Sequence, residues 1–395
     1  LAGSTIKIYG LGIVRLDLSN NQLTALDVSN NTALTNLVCY GNQLTSLDLS
    51  NNTALTSLSC GFNQLTTVDV ANNPALSSLY CSFNQITALD VTKNAAMTYL
   101  DCSHNQLTAL DVTNNPALEK LECDNNQLTF STLPIQHPSW TDYTYSPQGK
   151  LPLSKKEFAL NEEIDLGSQL TTGDNTTTYV WKTIDGVTLI KDVDYTESNG
   201  KFTFIKQPGD YFFCEMSNAT FPELTLATEN VFIIPDQPSI TMTTAETVGS
   251  DFLFVLRTVA RNVPIKIDWG NGILTNHTVN SDPFVSGTLA GNTIKIYGLG
   301  IEFLSSTNDK LTSLDVSNNT ELNTVFCSDN QLTELNVSNT PALTRLDCSN
   351  NQLTSLDMSN SPALTSFYCY NNQLTFSTLP NKRSGMTYIY VPQSE

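Results

Sequence analysis

The sequence predicts a mainly β protein in which two parallel solenoids, closed by β-caps, are joined by a β-sandwich. Three observations predict this fold class. Cysteine recurs every 21 residues, each half of a repeat alternates apolar with polar residues, and residues 149–236 between the two repeat blocks contain no repeat. A strict period of this length is typical of stacked turns, in which each turn buries its apolar edge only against its neighbours.

The cysteines mark one position of the repeat and not a set of separate chemical sites. In the first turn Leu18 holds that position, so the column accepts an ordinary apolar side chain, and a free cysteine packs as a small buried hydrophobe. A disulfide framework is the alternative for an exported protein, but a column of five on parallel strands cannot pair completely. No cysteine and histidine spacing is typical of a metal site. We therefore expect reduced, buried thiols at Cys39, Cys60, Cys81, Cys102, Cys123, Cys327, Cys348 and Cys369.

Each repeat resembles the conserved segment of leucine-rich repeats. Residues 34–44, LTNLVCYGNQL, have the form LxxLxCxxNxL, in which cysteine replaces the third leucine. The form L-x-L-x-x-N then returns within the same repeat at Leu47, Leu49 and Asn52, and this nesting resembles the bacterial class called IRREKO repeats. Both halves alternate like half-buried strands, and neither has helical spacing. We expect a short parallel strand on both sides of each turn.

Two asparagine columns run half a turn apart along the first block. Solenoid corners leave backbone groups unpaired, and inward amide side chains can satisfy them. We therefore interpret both columns as structural. The first contains Asn21, Asn42, Asn63, Asn84, Asn105 and Asn126, and the second contains Asn31, Asn52, Asn73, Asn94 and Asn115.

The chain contains two copies of one module. The sequence of residues 1–13 recurs at 289–301 with one substitution, and the sequence of residues 125–134 recurs at 371–380. Only the second copy has an upstream region, so we expect that the chain begins inside a module and that a signal segment lies outside it. The predicted domains are a solenoid with its C-terminal cap at 1–148, a sandwich at 149–236, a small β-domain at 237–298 and a second capped solenoid at 299–395.

The segments without repeats resemble known β-domains. The runs TYVWKTIDG with Trp181 and GDYFFCEMSN with Tyr211 and Cys214 resemble strands C and F of an immunoglobulin-like sandwich. The earlier cysteine of that fold is missing, so we expect Cys214 to be a buried free thiol. The turn Asp268 to Gly272 resembles that of polycystic-kidney-disease type β-domains, and we expect its domain to cover the first turn of the second solenoid.

Charge and composition exclude several function classes. The net charge of −19 argues against nucleic-acid binding, because phosphates require lysine and arginine. No apolar run approaches the length of about 18 residues that a membrane span needs. The histidines His104, His137 and His277 lie in different contexts, without the pattern of a nucleophile or general base. We therefore predict a non-enzymatic protein that has no cofactor and does not span a membrane.

An aspartate column occupies the outward place after the second-half leucine. Like charges on adjacent strands repel, so something must offset the repulsion. Hydrogen bonds from neighbouring serine or threonine and backbone amides, raised pKa values, or bound cations would each do so. One column supplies few of the six to eight oxygens that calcium needs. We favour hydrogen bonding and keep weak cation binding as the alternative for Asp27, Asp48, Asp69, Asp90 and Asp111.

The candidate binding residues are those that break the consensus beside the leucine and cysteine of the first-half strand. These places build no core, and aromatic side chains there should be exposed and close together on successive turns. The alternative is that the aromatics cover loop backbone or meet a neighbouring domain. The candidates are Tyr40, Phe62, Tyr80, Phe83, Tyr99 and His104 in the first block, and Phe326, Arg345, Tyr368 and Tyr370 in the second.

The combination of leucine-rich repeats, caps and an immunoglobulin-like domain resembles bacterial surface proteins of the internalin-like and BspA-like kind. The resemblance implies an exported, cell-surface or secreted adhesin that binds a protein of a host or neighbouring cell. The repeats differ in length from those of internalins, and no contact residue of that family can be assigned by motif. A glycan-binding module and a passive stalk are the alternatives, and the oligomeric state is left open.

Overall fold

The computed structural model divides the chain into two compact units. The first comprises the described residues up to Lys156 together with Glu163–Thr203 and Phe212–Val231, and the second comprises the rest. The extreme ends of the first and last predicted domains lie outside the described residues, and the division into four domains stays a prediction. The described ranges are 12–208, 211–259, 263–279, 282–375, 377–382 and 384–393.

Seven three-residue strands of the first block form one parallel sheet in sequence order. The first six strands pair with one another in a register of one repeat, as Leu37 with Leu58 and Leu58 with Leu79. These central leucines are fully buried, and the residues on either side of them point away from the core. The strands are β1 (Arg15–Asp17), β2 (Asn36–Val38), β3 (Ser57–Ser59), β4 (Ser78–Tyr80), β5 (Tyr99–Asp101), β6 (Lys120–Glu122) and β7 (Asp142–Thr144).

The prediction of a strand on both sides of each turn is wrong for the first block, where the described residues form no second-half strand. Local hydrogen bonds replace the ladder there. The amide of Ser50 donates to Asp48 Oδ1, and the amide of Asn52 donates to the carbonyl of Leu49. Asp and Asn side chains offer the backbone such local partners in competition with a sheet. One bond per turn, such as Gln64 N to Leu44 O at 2.9 Å, still joins neighbouring turns on this side.

The first asparagine column fastens each turn to the one before it. The amide nitrogen of Asn84 donates to the carbonyls of Cys60 and Cys81, both at 3.1 Å, and its oxygen accepts from the amide of Leu65 at 2.9 Å. Buried backbone groups at the corner are thereby satisfied without water. The structural interpretation of this column is confirmed, although Asn21, on the first turn, is exposed. At the end of the column Gln148 takes the same place, donating to Cys123 O and accepting from Leu128 N.

The second asparagine column makes fewer bonds. Asn94 donates to the carbonyls of Val70 at 3.1 Å and Asn73 at 2.8 Å, while its buried side-chain oxygen has no protein partner among the described residues. The same holds for Asn52, Asn73 and Asn115. The side chains of this column therefore hydrogen-bond to backbone carbonyls only, whereas those of the first column bond to both backbone carbonyls and backbone amides.

All nine cysteines are free and buried, so the prediction of reduced thiols is confirmed. Burial raises the pKa of the Cys39 and Cys369 thiols to about 12, and it also raises the pKa of the other seven thiols. The thiolate is the reactive form, so these thiols are unreactive while the chain is folded.

We expect a thiol reagent to label none of the nine cysteines rapidly at pH 8 in the folded chain. Burial blocks access and keeps the thiols protonated, so labelling requires opening of the turns. Time-resolved labelling with a disulfide reagent, with and without denaturant, measures this. Labelling of several thiols per chain within seconds in native buffer would contradict the buried column.

The segment between the blocks forms several small sheets. Its strands are β8 (Glu157–Ala159), β9 (Glu163–Asp165), β10 (Thr171–Thr172), β11 (Asn175–Thr176), β12 (Thr178–Thr183), β13 (Tyr195–Ser198), β14 (Lys201–Phe204), β15 (Phe212–Ser217), β16 (Thr225–Ala227) and β17 (Phe232–Ile234), with one 3-10 helix at Gly167–Gln169. Strand β12 pairs antiparallel with β15, which places buried Trp181 opposite buried Cys214. Cys214 is a buried free thiol as predicted, and the immunoglobulin-like assignment stays a prediction.

Two further sheets contain the second block and its upstream strands. They are built from β18 (Ile240–Thr244), β19 (Asp251–Thr258), β20 (Val263–Asp268), β21 (Leu274–Val279), β22 (Phe284–Thr288), β23 (Thr293–Tyr297), β24 (Ile301–Ser305), β25 (Leu311–Asp315), β26 (Thr324–Phe326), β27 (Glu334–Asn336), β28 (Arg345–Asp347), β29 (Ser366–Tyr368) and β30 (Thr387–Ile389). One sheet has the order β21-β20-β23-β18-β25-β27, and the other has the order β22-β19-β24-β26-β28-β29-β30. The upstream strands β18 and β19 thus pair antiparallel with the first strands of the repeats, β25 and β24. Here both sides of a turn do contain strands, because β25 and β27 lie on the second-half side of the two turns whose first-half strands are β24 and β26.

The glycine-rich turn after β20 is held by one carboxylate. Asp268 Oδ1 accepts the amides of Gly270 at 2.8 Å, Asn271 at 3.0 Å and Gly272 at 2.9 Å. The adjacent Trp269 is buried, and its indole Nε1 donates to Thr275 Oγ1 at 3.1 Å. Gly287 lies directly beneath that indole, where a Cβ would stand 2.3 Å from the ring. A side chain at Gly287 is therefore sterically excluded.

Candidate functional site

A column of aromatic rings runs along the corner that follows the strands of the first block. The ring centroids of Tyr40 and Phe62 are 5.0 Å apart, those of Phe62 and Phe83 are 4.0 Å apart, and those of Phe83 and His104 are 3.9 Å apart. The last two pairs are stacked nearly parallel. Tyr40, Phe62 and Phe83 are 37, 43 and 40 % exposed. The rings therefore form one continuous apolar strip that is open to solvent.

The two phenylalanines of this column have a backbone conformation that bulky side chains rarely adopt, and His104, a residue type that tolerates it, shares it. Phe62, Phe83 and His104 have φ angles of 52°, 55° and 52°, in the left-handed region. The same place in the second block holds Asp329, Asn350 and Asn371, which are residue types that tolerate this region. Each phenylalanine there costs about 1 kcal/mol of backbone strain, and ring stacking of about 1 kcal/mol per pair offsets part of it.

A second, shorter aromatic column lies on the strands themselves. Tyr80 is 37 % exposed, and its ring centroid lies 4.6 Å from that of half-buried Tyr99. The Tyr99 hydroxyl donates to Glu122 Oε1 at 2.5 Å. Burial and this carboxylate raise the pKa of the Tyr99 hydroxyl, which stays a donor over the physiological range. The two aromatic columns together are called the first-block face, which consists of Tyr40, Phe62, Tyr80, Phe83, Tyr99 and His104.

Carboxylates lie at one end of the first-block face. His104 Nε2 is 3.9 Å from Asp124 Oδ2 and 3.2 Å from Asn125 Nδ2. Asp101 accepts from the hydroxyls of Ser82 and Ser103, both at 2.7 Å. The face is therefore apolar at its N-terminal end and becomes polar and acidic toward its C-terminal end.

The aspartate column is stabilised by its own neighbours. Asp27 Oδ1 accepts the amide of Ser29 at 3.0 Å and its hydroxyl at 2.6 Å, and Asp111 accepts the same pair of bonds from Thr113. These bonds lower the pKa of Asp27 and Asp111, as they do for Asp48 and Asp90. The expectation of hydrogen bonding is confirmed, and the alternative of raised pKa values is wrong for these four. No group of three acidic, histidine or cysteine side chains able to hold a metal occurs in the described ranges.

The second-block candidates lie on the outward face of the second sheet of that block. The Phe326 ring lies beneath the guanidinium of Arg345, with 5.0 Å between the guanidinium carbon and the ring centroid. Register places Tyr368 two strands from Phe326, in one row with it. Tyr370 lies beyond the end of strand β29 and is half-buried.

Sequence reasoning missed a residue that completes this arrangement. Arg257, on upstream strand β19, lies over the ring of Phe303 at 4.8 Å, and Phe303 meets Phe326 edge to face at 5.6 Å. The signal was the alternation in FLFVLRTVA, which places Leu253, Val255 and Arg257 on one face of the strand. The pairing of that strand with the first repeat was not visible from the sequence.

Comparison with known proteins finds leucine-rich repeats in the second block. Residues 341–381 match the family model described as Leucine Rich repeats (2 copies). A search of curated proteins finds no match. No helix in the described part of the chain has the length and apolar character to cross a bilayer. The chain is thus a mainly β repeat protein, one segment of which matches leucine-rich repeats.

Two solved structures that resemble the chain are internalins of Listeria monocytogenes. The first is described as the functional domain of InlJ, which includes a cysteine ladder. It is 21 % identical with a TM-score of 0.34, covering 92 % of this chain and 69 % of its own. The second is internalin C2, which is 24 % identical with a TM-score of 0.25, covering 34 % of this chain and 74 % of its own.

Proposed function

We propose that the protein is a non-enzymatic binding protein, adhesin-like and exported, which recognises a protein partner through the first-block face. The observation that carries the proposal is the stacked row of rings on left-handed backbone at Phe62, Phe83 and His104, of which the two phenylalanines are exposed. The fold alone does not require these side chains, because the second block uses Asp and Asn at the same place. Strain that the fold does not need is a sign of function.

Physical properties of the face support a protein as its partner. Exposed aromatic side chains held rigid by stacking bury large area at small entropic cost on binding. The carboxylates at the acidic end of the face orient a bound partner, and they repel partners that present acidic groups there. The division of the chain into two capped solenoids and an immunoglobulin-like sandwich is part of this proposal, because such modules display a binding face away from the cell.

Replacing Tyr80 and Phe83 by alanine tests the proposal. Both side chains are exposed, so we expect an unchanged melting temperature, while binding falls by about a hundredfold because two central aromatic contacts are lost. Binding of the fluorescent chain to cultured epithelial cells and to bacterial cells measures it. Trypsin treatment of those cells should abolish binding of the parent chain.

The matched control is Ile135→Ala, which removes an exposed apolar side chain of the same block outside the face. Its binding should equal that of the parent chain. Full binding by the Tyr80→Ala, Phe83→Ala variant would refute the role of the face. Loss of binding after glycosidase treatment, with binding retained after trypsin, would favour a glycan, and no binding to any cell would favour a passive stalk.

A further inference from the structure

The second block presents a different surface from the first, and it extends across upstream strands and repeats alike. In the sheet β22-β19-β24-β26-β28-β29-β30, outward side chains form two cross-strand rows. One row contains Phe284, Val255, Ser305, Phe326, Asp347, Tyr368 and Ile389, and the other contains Arg257, Phe303, Thr324, Arg345, Ser366 and Thr387. We call these two rows the second-block face. Its end members Phe284 and Ile389 are 61 and 42 % exposed.

Two arginines flank a phenylalanine pair at the centre of this face. The guanidinium of Arg257 covers one side of Phe303, that of Arg345 covers Phe326, and the two rings touch edge to face. The chain has only 19 basic residues against 38 acidic ones, so two arginines beside one ring pair are a local reversal of charge. Stacking on a ring orients a guanidinium and leaves its N–H edge directed away from the ring.

Both guanidinium edges are open to a ligand. Within the described ranges neither arginine forms an ion pair. The nearest carboxylate on the same strand as Arg345 is Asp347, and its Oδ1 is held by the amide and hydroxyl of Ser349 at 3.1 and 2.6 Å. A shift in the pairing register between Arg257 and Thr258 marks a bulge at the first arginine. Bulges of this kind re-aim a side chain at functional positions.

The geometry points to an extended acidic segment of a partner protein as the ligand of the second-block face. Guanidinium edges bind carboxylates in a two-pronged manner. Arg257 and Arg345 belong to the same row three strands apart, which places their backbones roughly 14 Å from each other at a strand spacing of about 4.8 Å. An extended peptide covers that span in about four residues, and residues four apart lie on the same side of it.

The ligand motif follows from this spacing. It has acidic residues at positions i and i+4, and an apolar residue at i+2 that faces Phe303 and Phe326. The segment lies across the strands. This binding site goes beyond the function proposed for the first-block face, and it uses none of the same residues.

The probe is an end-labelled heptapeptide with glutamate at its second and sixth residues, leucine at the fourth and serine elsewhere. Fluorescence polarisation with the full chain should show binding. We expect binding to weaken about tenfold when the two glutamates are glutamines, and by a similar factor when they are moved to two residues apart. Equal binding of the three peptides would overturn the proposal.

Variants of the chain test the arginines directly. Arg257→Gln with Arg345→Gln should weaken binding of the probe about a hundredfold, and the corresponding lysine variants should weaken it less because the charge remains. The matched control is Arg15→Gln, since Arg15 begins the same Arg-Leu-Asp strand in the first block. It should bind like the parent chain, as should Tyr80→Ala with Phe83→Ala.

Three results would overturn the proposal. One is unchanged probe binding by the double glutamine variant with a parent-like circular dichroism spectrum. Another is binding of a heparin oligosaccharide, but not of the peptide, through the same arginines. The third is self-association of the parent chain in sedimentation experiments that disappears in the double variant, which would make a second copy the occupant.

Discussion

Replacing Asn84 by alanine is expected to lower the free energy of unfolding by about 4 kcal/mol, because three buried backbone groups lose their partner at once. The carbonyls of Cys60 and Cys81 and the amide of Leu65 all bond to this one side chain, and all three residues are fully buried. The cavity left by the amide adds to the cost. Urea unfolding followed by circular dichroism measures the change, and hydrogen exchange at the Leu65 amide should accelerate.

The second asparagine column provides the control. Asn94→Ala removes two bonds to carbonyls, but it also removes a buried oxygen that has no protein partner in the described structure. We expect a smaller cost of about 2 kcal/mol. If Asn94→Ala were as damaging as Asn84→Ala, the difference between the two columns would have no energetic meaning.

Replacing Gly287 by alanine should destabilise the second unit by about 3 kcal/mol, a large effect for a single methyl group. The new Cβ would lie 2.3 to 2.8 Å from three atoms of the Trp269 ring. The ring cannot easily move, because it is buried and its nitrogen is bonded to Thr275. Thermal unfolding, monitored by tryptophan fluorescence and calorimetry, should show one transition at lower temperature and the other unchanged.

A double variant separates this clash from other effects of the substitution. With Trp269 replaced by leucine, the methyl group at Gly287 has room, so Gly287→Ala should cost under about 1 kcal/mol in that background. An equal cost in both backgrounds would mean that the methyl group acts elsewhere, for example through the pairing of β22 with β19.

The sequence period sufficed to identify the core and corner residues of the turns because each column has one physical task. Leucines such as Leu58 and the cysteines fill the core, and asparagines such as Asn84 satisfy corners, so identity at a position implies its environment. The exposed places have no such constraint. There the sequence indicated which residues to consider, and only the structure shows that Phe62 and Phe83 stack at 4.0 Å on left-handed backbone.

Features that depend on pairing between distant segments were not predictable in this way. The loss of second-half strands in the first block results from competition between local turns around residues such as Asp48 and a ladder, and the alternating pattern fits both. Gln148 continues the asparagine column with a longer side chain outside the repeat. Arg257 joins the second-block face only because β19 pairs with β24.

The thiol column also has a mechanical consequence. Each turn of the first block is joined to the next by the same few hydrogen bonds. A pulling force applied to the ends of the block therefore acts on a series of turns that are equally stable and only weakly coupled. Opening one turn releases 21 residues, about 70 Å of extended chain, and leaves the remaining turns closed. Each released turn from that of β2 to that of β6 also exposes one cysteine that was buried. The number of thiols that react with a reagent on a stretched molecule would therefore measure how many turns have opened, and so the extension of the molecule.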